Sequence, residues 1–208
     1  TFVQWCGGEF TMTPREVPVS SRATAAEDTR ERIRTAALAL FAERGAAATS
    51  LREVARSAGV APGLVGHYFG SKDGLHEAVE DGVVALFVDT LDAVPLEGPV
   101  ATVVANRDRA IHAMFVRNPH VVDYLRRVVV TPGSDDTRLV RKMLDTQILQ
   151  TQRLRDHGIA GSRAPVAEQA VTVLVRQLGT WLLQPALDRL WQLSGADGRA
   201  PQVHVTLR

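Results

Sequence analysis

Residues Ser50–Phe69 read SLREVARSAGVAPGLVGHYF. Ser50 stands three residues before Glu53, the spacing of a capping box in which the two residues satisfy each other's orphan backbone donors. Leu51, Val54, Ala55 and Ala58 then recur at the spacing of one helix face, and Gly59 supplies the stop. Val60 and Pro62 open a second short helix that runs through Tyr68 or Phe69. Proline suits that first turn because its missing N–H would be an orphan there. Ala55 and Gly59 lie four apart. Two short helices can cross almost without a gap when the first offers a small side chain at the joint and the turn residue accepts left-handed backbone. The stretch therefore predicts a helix-turn-helix, with Leu51, Val60 and Val65 plugging the joint. The start and polar face of its second helix are then free to enter a major groove. An ordinary helical hairpin in an all-helical core has the same local pattern.

The flanking sequence extends the helical pattern in both directions. Upstream, Thr24-Ala-Ala-Glu27 has capping-box spacing. Ile33, Ala37, Leu40, Phe41 and Arg44 follow one helix face, and Gly45 ends it. Downstream, Gly70-Ser71 breaks the chain and Ser71 caps a long helix from Lys72 to about Val94. Further helical segments are expected at about 99–116, 119–130, 135–157, 165–184 and 186–194, the last two separated at Gln184-Pro185. No segment reads as a strand, so the expected fold class is all-α. It comprises an N-terminal three-helix helix-turn-helix domain and a larger C-terminal helical domain. The expected boundaries are a mobile arm over 1–24, the helix-turn-helix domain over 25–71, the larger domain over 72–194 and a loose tail over 195–208. Within the arm, Met12 is the expected translation start, which would make residues 1–11 upstream sequence.

Composition narrows the function classes. The chain has 208 residues, 45% hydrophobic and 23% charged, as in ordinary globular proteins. Its formal net charge of +1 means that any surface for nucleic acid must be local. Cys6 is the one cysteine, which excludes an internal disulfide and a cysteine-rich zinc module, and suits a reducing cytoplasm. No apolar run reaches the ~20 residues of a membrane span. The histidines show no metal-ligand spacing, and no phosphate loop or nucleophile elbow is present. No cofactor, metal or catalytic residue is expected.

The stretch Thr29 to Val79 resembles the amino-terminal DNA-binding domain of the TetR family of transcriptional regulators. The resemblance rests on A-x-x-L-F-x-x-x-G at Ala37 to Gly45, T-S-L-R-E-V-A-x-x-A-G-V at Thr49 to Val60 and H-Y-F-x-S-K-x-x-L at His67 to Leu75. It implies a homodimer on a palindromic double-stranded DNA operator, repressing there and released when a small-molecule effector enters the carboxyl-terminal domain. The alternatives are a constitutive DNA-binding protein without an effector and, more remotely, a helical enzyme. By the same resemblance Thr49 and Ser50 face phosphate at the start of the first motif helix, with Arg52 beside them. Pro62, Gly63 and Leu64 form the base-facing start of the second helix. Gly66 replaces a frequent family tyrosine, His67 and Tyr68 can donate to phosphate or bases, and Lys72 is the best single phosphate contact. Residues 22–76 carry eight Lys+Arg against six acids.

Expectations for the larger domain are coarser. Val100, Val104, Arg107, Ile111 and Met114 share one stripe, which puts Arg107 on an apolar face. It either meets a ligand carboxylate or, more ordinarily, pairs within the protein. Ile111, Phe115, Tyr124, Met143, Gln147 and Thr151 are the other candidates for a ligand cavity. His112 and Asp108 are one turn apart and can orient each other. Leu174, Leu178, Trp181 and Leu182 belong to a strongly apolar stretch that is either core or, as the resemblance implies for the last long helices, the dimer interface.

Overall fold

Glycines in left-handed backbone punctuate the amino-terminal half, at Gly45 (φ +86°), Gly59 (φ +65°) and Gly70 (φ +71°). Between them run α1 (Ser21–Arg44), α2 (Leu51–Ala58), α3 (Pro62–Phe69) and α4 (Lys72–Asp92). The second half adds α5 (Val100–Arg117), α6 (Pro119–Val130), α7 (Arg138–Asp156) and α8 (Val166–Leu193). This computed structural model describes residues 21–130, 137–161, 163–203 and 205, and those residues form eight helices and no strand. The expected break at Thr131–Ser134, residues 1–20 with Met12, and most of the last five residues lie outside them. No described helix is long and apolar enough to cross a membrane.

The helix-turn-helix core forms from the residues whose spacing predicted it. Ile33, Ala37 and Phe41 of α1 meet Val54 and Ala55 of α2, Val65 of α3 and Leu75 of α4, all fully buried. Phe87 and Leu91 continue the buried face of α4 into the second half, against Ile111, Met114 and Phe115 of α5 and Met143 of α7. One hydrophobic core therefore runs the length of α4.

Four expectations are corrected. Helix α1 begins at Ser21, so Thr24 lies inside the helix and caps nothing; Thr-x-x-Glu spacing is equally at home in a helix interior. The buried stripe of α5 is Val103, Arg107, Ile111 and Met114, whereas Val100 and Val104 are exposed, because a drift of one residue follows the true helical period. Pro185 does not divide the last helix, although an internal proline costs about 3 kcal/mol or more. The third and fourth corrections share a cause, since the carboxyl-terminal stretch read as a loose tail lies along the same turns of α8. The Val203 N–H donates to Gln184 Oε1 (2.7 Å), Gln184 Nε2 donates to the Pro201 carbonyl (3.0 Å), and Thr180 Oγ1 donates to the Val203 carbonyl (3.2 Å). Gly179 leaves the room that Val205 fills, for a Cβ there would lie 2.4 Å from Val205 Cγ2.

The turn from α3 to α4 is tighter still. A Cβ on Gly74 would sit 2.2 Å from the Phe69 carbonyl oxygen, a backbone atom that cannot swing aside. Gly74→Ala is therefore expected to lower the thermal midpoint, by the about 1–3 kcal/mol typical of overpacking. Gly66→Ala, whose methyl meets open space on α3, should raise it. Thermal unfolding of the two variants checks the pair, and an unchanged midpoint for Gly74→Ala would show that the turn yields.

Candidate nucleic-acid interface and ligand cavity

The start of α2 is built from a complete capping box. The Ser50 hydroxyl accepts from the Glu53 N–H (3.3 Å), while Glu53 Oε2 accepts from the Ser50 N–H and hydroxyl, both at 2.8 Å. These bonds hold the Glu53 carboxyl below its ordinary range, first through the Ser50 backbone N–H and then through its hydroxyl. Arg44 Nη1 reaches Glu53 Oε1 at 2.9 Å and ties the end of α1 to the same carboxylate. Helix α2 ends at Gly59, and the Val60 N–H returns to the Ala55 carbonyl (3.0 Å). Arg32 Nη2 adds a bond to the Ala58 carbonyl (2.7 Å). The α2–α3 angle is thus fixed by backbone, by Ala55 with no exposed surface, and by a cap from α1.

This geometry sorts the candidate DNA contacts. Thr49 is 2% exposed and its hydroxyl donates to the Gly45 carbonyl (2.9 Å), so it closes a turn and cannot reach phosphate. Ser50 is exposed but its N–H and hydroxyl are both committed to Glu53, so the expected phosphate grip there is already occupied by a carboxylate. Arg52, and with it Arg56, which the motif reading passed over, are exposed on α2. Pro62, Gly63, Leu64, Gly66 and His67 are all exposed on α3, and Tyr68 is half-buried, with its ring edge-on to His67 at 5.4 Å. Nothing lies within 4 Å of where a Cβ would stand on Gly63 or Gly66. The exposed face of α3 is therefore bare backbone flanked by one proline, one leucine and one imidazole. Lys72 Nζ donates to the Ala47 carbonyl (2.8 Å), bracing the α1–α2 loop, and keeps further N–H groups for phosphate.

Most arginines counted in favour of a basic surface serve the fold. Arg32 and Arg44 hold α2 as described, Arg30 stacks on Phe69 (5.7 Å to the ring centre), and Arg34 pairs with Glu31 and lies across Gly82 of α4. Among the described side chains of this half, Arg52 and Arg56 remain exposed and Lys72 half-buried. Positive charge of this kind positions a duplex without reading its bases.

The family model described as "Bacterial regulatory proteins, tetR family" matches residues 33–79. The regulator UidR of Escherichia coli is 26% identical over 153 residues, 72% of this chain and 76% of its own. The helix-turn-helix half of the chain is similar to that of TetR-family regulators. A transcriptional repressor of Mycobacterium tuberculosis is 50% identical over 58 residues, 28% of this chain and 31% of that one. The solved SmeT–triclosan complex has the same fold, with a TM-score of 0.57 at 24% identity over 80% of this chain and 84% of that one.

As in the TetR-family structures whose fold it shares, the second half of the chain is a helical domain, and here α4, α5, α7 and α8 enclose a cavity. Its empty space is about 400 Å³ out to the mouth, lined by Val84, Phe87 and Leu91, by Ile111, by Met143, Thr146 and Gln147, and by Leu174, Gln177 and Trp181. Of the expected ligand residues Ile111, Met143 and Gln147 are on the wall. Phe115 stands behind it, edge-on to Trp181 at 4.6 Å. Thr151 is buried and accepts from Gln147 (3.3 Å). Tyr124 is elsewhere, hydrogen-bonded to His76 of α4 at 2.8 Å. Arg107 takes the ordinary course: its Nη1 donates to the Leu91 carbonyl (3.2 Å) and its Nη2 to Gln150 Oε1 (2.8 Å). Burial pushes the Arg107 pKa down. The nearby Asp108 carboxyl, though on the outer side of α5, is pushed up by partial desolvation, and His112 is exposed one turn on.

Three of the residues expected at a dimer interface turn inward. Leu174 is buried, and Leu178 and Trp181 pack on the same core, leaving Leu182 half-buried. Neighbouring side chains on α8, Val171, Val175 and Leu183, are the exposed ones. The sequence signal was an apolar run, which does not say which side of a long helix is covered within the protomer. Phe87, Leu91, Thr146 and Gln177 carried no sequence signal for the cavity, because its wall is assembled from four separate helices.

Two outcomes are expected. Ser50→Ala should lower stability near neutral pH. That loss should shrink as pH falls through and below the ordinary glutamate range, because a depressed carboxyl pKa stabilises only while the group is ionised. Chemical denaturation of both proteins across pH checks this, and a constant difference down to strong acid would remove Glu53 from the cap. Gly63→Ala should leave the midpoint of unfolding unchanged or raised while weakening DNA binding, since a methyl would hold the bare α3 backbone off the groove. Unaltered affinity would mean that α3 does not approach that closely.

Proposed function

We propose that this protein is a ligand-responsive transcriptional repressor that binds a palindromic operator as a homodimer in the cytoplasm. One observation carries the proposal: α4 carries the α2–α3 pair at one end and lines the cavity with Val84, Phe87 and Leu91 at the other. A molecule that fills the cavity must press on the helix that aims α3. The relative whose name says repressor is half identical over its 58 matched residues, and a protein of the same fold is solved with triclosan bound. Both favour repression relieved by a small molecule.

At the operator, Arg52 and Lys72 hold phosphates, with Arg56 beside them. The α3 face meets the major groove through Pro62, Gly63, Leu64, Gly66 and His67, with Tyr68 at its edge. Apart from His67 and Tyr68 these residues offer almost no side-chain hydrogen bonds. Recognition there uses thymine methyls, backbone groups and groove shape. Pairing of two protomers uses the exposed apolar side of α8 about Val171, Val175, Leu182 and Leu183. It sets the separation of the two α3 helices to that of successive major grooves, about 34–36 Å. No membrane, metal or cofactor enters this function.

Selection of bound duplexes from a random pool tests the proposal. The expected product is an inverted repeat bound by two protomers. Arg52→Ala should weaken binding about equally across sequences and reduce the salt slope by about one. A compound that occupies the cavity should raise the melting temperature and lower operator affinity together. Melting shifts with no change in operator affinity would leave a constitutive DNA-binding protein.

A further inference from the structure

The walls of the cavity say what it can hold. On the described residues they contain no acid and no base. The nearest buried cation, Arg107, spends its guanidinium on the Leu91 carbonyl and on Gln150, outside the cavity. A carboxylate entering would lose its hydration shell and gain no charged partner, which disfavours it heavily. The aromatic side is well developed. Phe87 and Trp181 lie with ring centres 5.9 Å apart and planes tilted by 38°, so π faces border the space from α4 and α8. The polar side consists of neutral groups on facing helices, Thr146 and Gln147 of α7 and Gln177 of α8. Gln147 gives an N–H to Thr151, which leaves its carbonyl oxygen as an acceptor. Between the side chains as they stand little more than a water molecule fits, so a ligand must displace the Trp181 ring and replace its contacts with its own.

We infer that the cavity takes an uncharged aromatic molecule of about two fused rings bearing one hydroxyl or amide-like group, seated against Phe87 in the space the Trp181 indole now fills and hydrogen-bonded by Gln147 or Gln177. The inference rests on the cavity being the effector site only for its regulatory meaning; the ligand chemistry follows from the walls alone. The donor on the ligand finds the Gln147 carbonyl, and Gln177 supplies either a donor or an acceptor. An anionic analogue of the same size fits the rings and fails at the polar wall.

The test uses the full chain with 2-naphthol, 2-naphthoate and naphthalene, read by tryptophan fluorescence and by melting temperature. 2-Naphthol is expected to bind at least about tenfold tighter than 2-naphthoate, the cost of an unpaired buried charge being well above that margin. Gln177→Leu should cut 2-naphthol binding several-fold and leave naphthalene binding unchanged or stronger, the signature of one lost hydrogen bond. Equal or tighter binding of 2-naphthoate overturns the inference. So does the absence of any 2-naphthol response up to its solubility limit, or a Gln177→Leu variant that folds and treats 2-naphthol as the parent does. Operator affinity is measured separately in the same samples. 2-Naphthol that binds with the stated preference and leaves the operator bound upholds the ligand class and removes the effector reading.

Discussion

The contact on which the molecule depends is the approach of α4 to the last carbonyl of α3, at a distance only Gly74 permits. It leaves no slack between the recognition helix and the long helix after it. Ser71 reinforces the joint by accepting the Gly74 N–H at 3.0 Å, and Lys72 spans back to the loop before α2. Helix α3 therefore has no orientation of its own. It turns when α4 turns, and α4 continues uninterrupted to Asp92 in the second half of the chain.

The far end of α4 is held in a different way. Arg107 bonds its Leu91 carbonyl, Gln150 Nε2 donates to Asp92 (3.1 Å), and Arg153 pairs with the same carboxylate. These are side-chain ties from α5 and α7, at the edge of the cavity, and side chains can re-pair as backbones cannot. Midway, the buried Glu80 sits close to His76, Arg138 and Lys142, joining α4 to α7. A second tie crosses to α1: Arg127 of α6 donates through Nε to the Ala42 carbonyl (3.1 Å) and through Nη2 to the Glu43 carbonyl (2.7 Å), capping α1. The three-helix unit is thus gripped at two points, α1 by α6 and α3 by α4. A displacement of α4 relative to α6 would rotate the unit rather than let it drift. Under the proposed ligand control, that rotation is what filling the cavity would drive.

What was legible in the sequence follows the range of the interactions. The capping box at Ser50–Glu53, the left-handed Gly59 and the small Ala55 act within one or two turns, so spacing alone places the helix-turn-helix. Arg107 was ambiguous because its partner Gln150 lies 43 residues away. Thr49 and Ser50 were assigned to phosphate because motif position does not reveal that Gly45 and Glu53 already occupy them. The cavity was half visible, since Ile111, Met143 and Gln147 announce themselves by helical spacing, while Phe87 and Gln177 belong to it only through packing. Pro185 misled for the reverse reason. A breaker by local rule, it is tolerated where Pro201–Val203 run alongside Gln184 and Thr180.

The central claim is that α4 transmits occupancy of the cavity to the spacing of the recognition helices. Electron–electron distance measurement tests it most directly, on a dimer spin-labelled on α2 through Ser57→Cys, an exposed position outside the DNA-facing residues, in a Cys6→Ser background. On operator DNA the label pair should give a narrow distribution. A ligand that raises the melting temperature should shift or broaden that distribution as the operator is released. An identical distribution with and without such a ligand, while the operator still dissociates, would contradict the account.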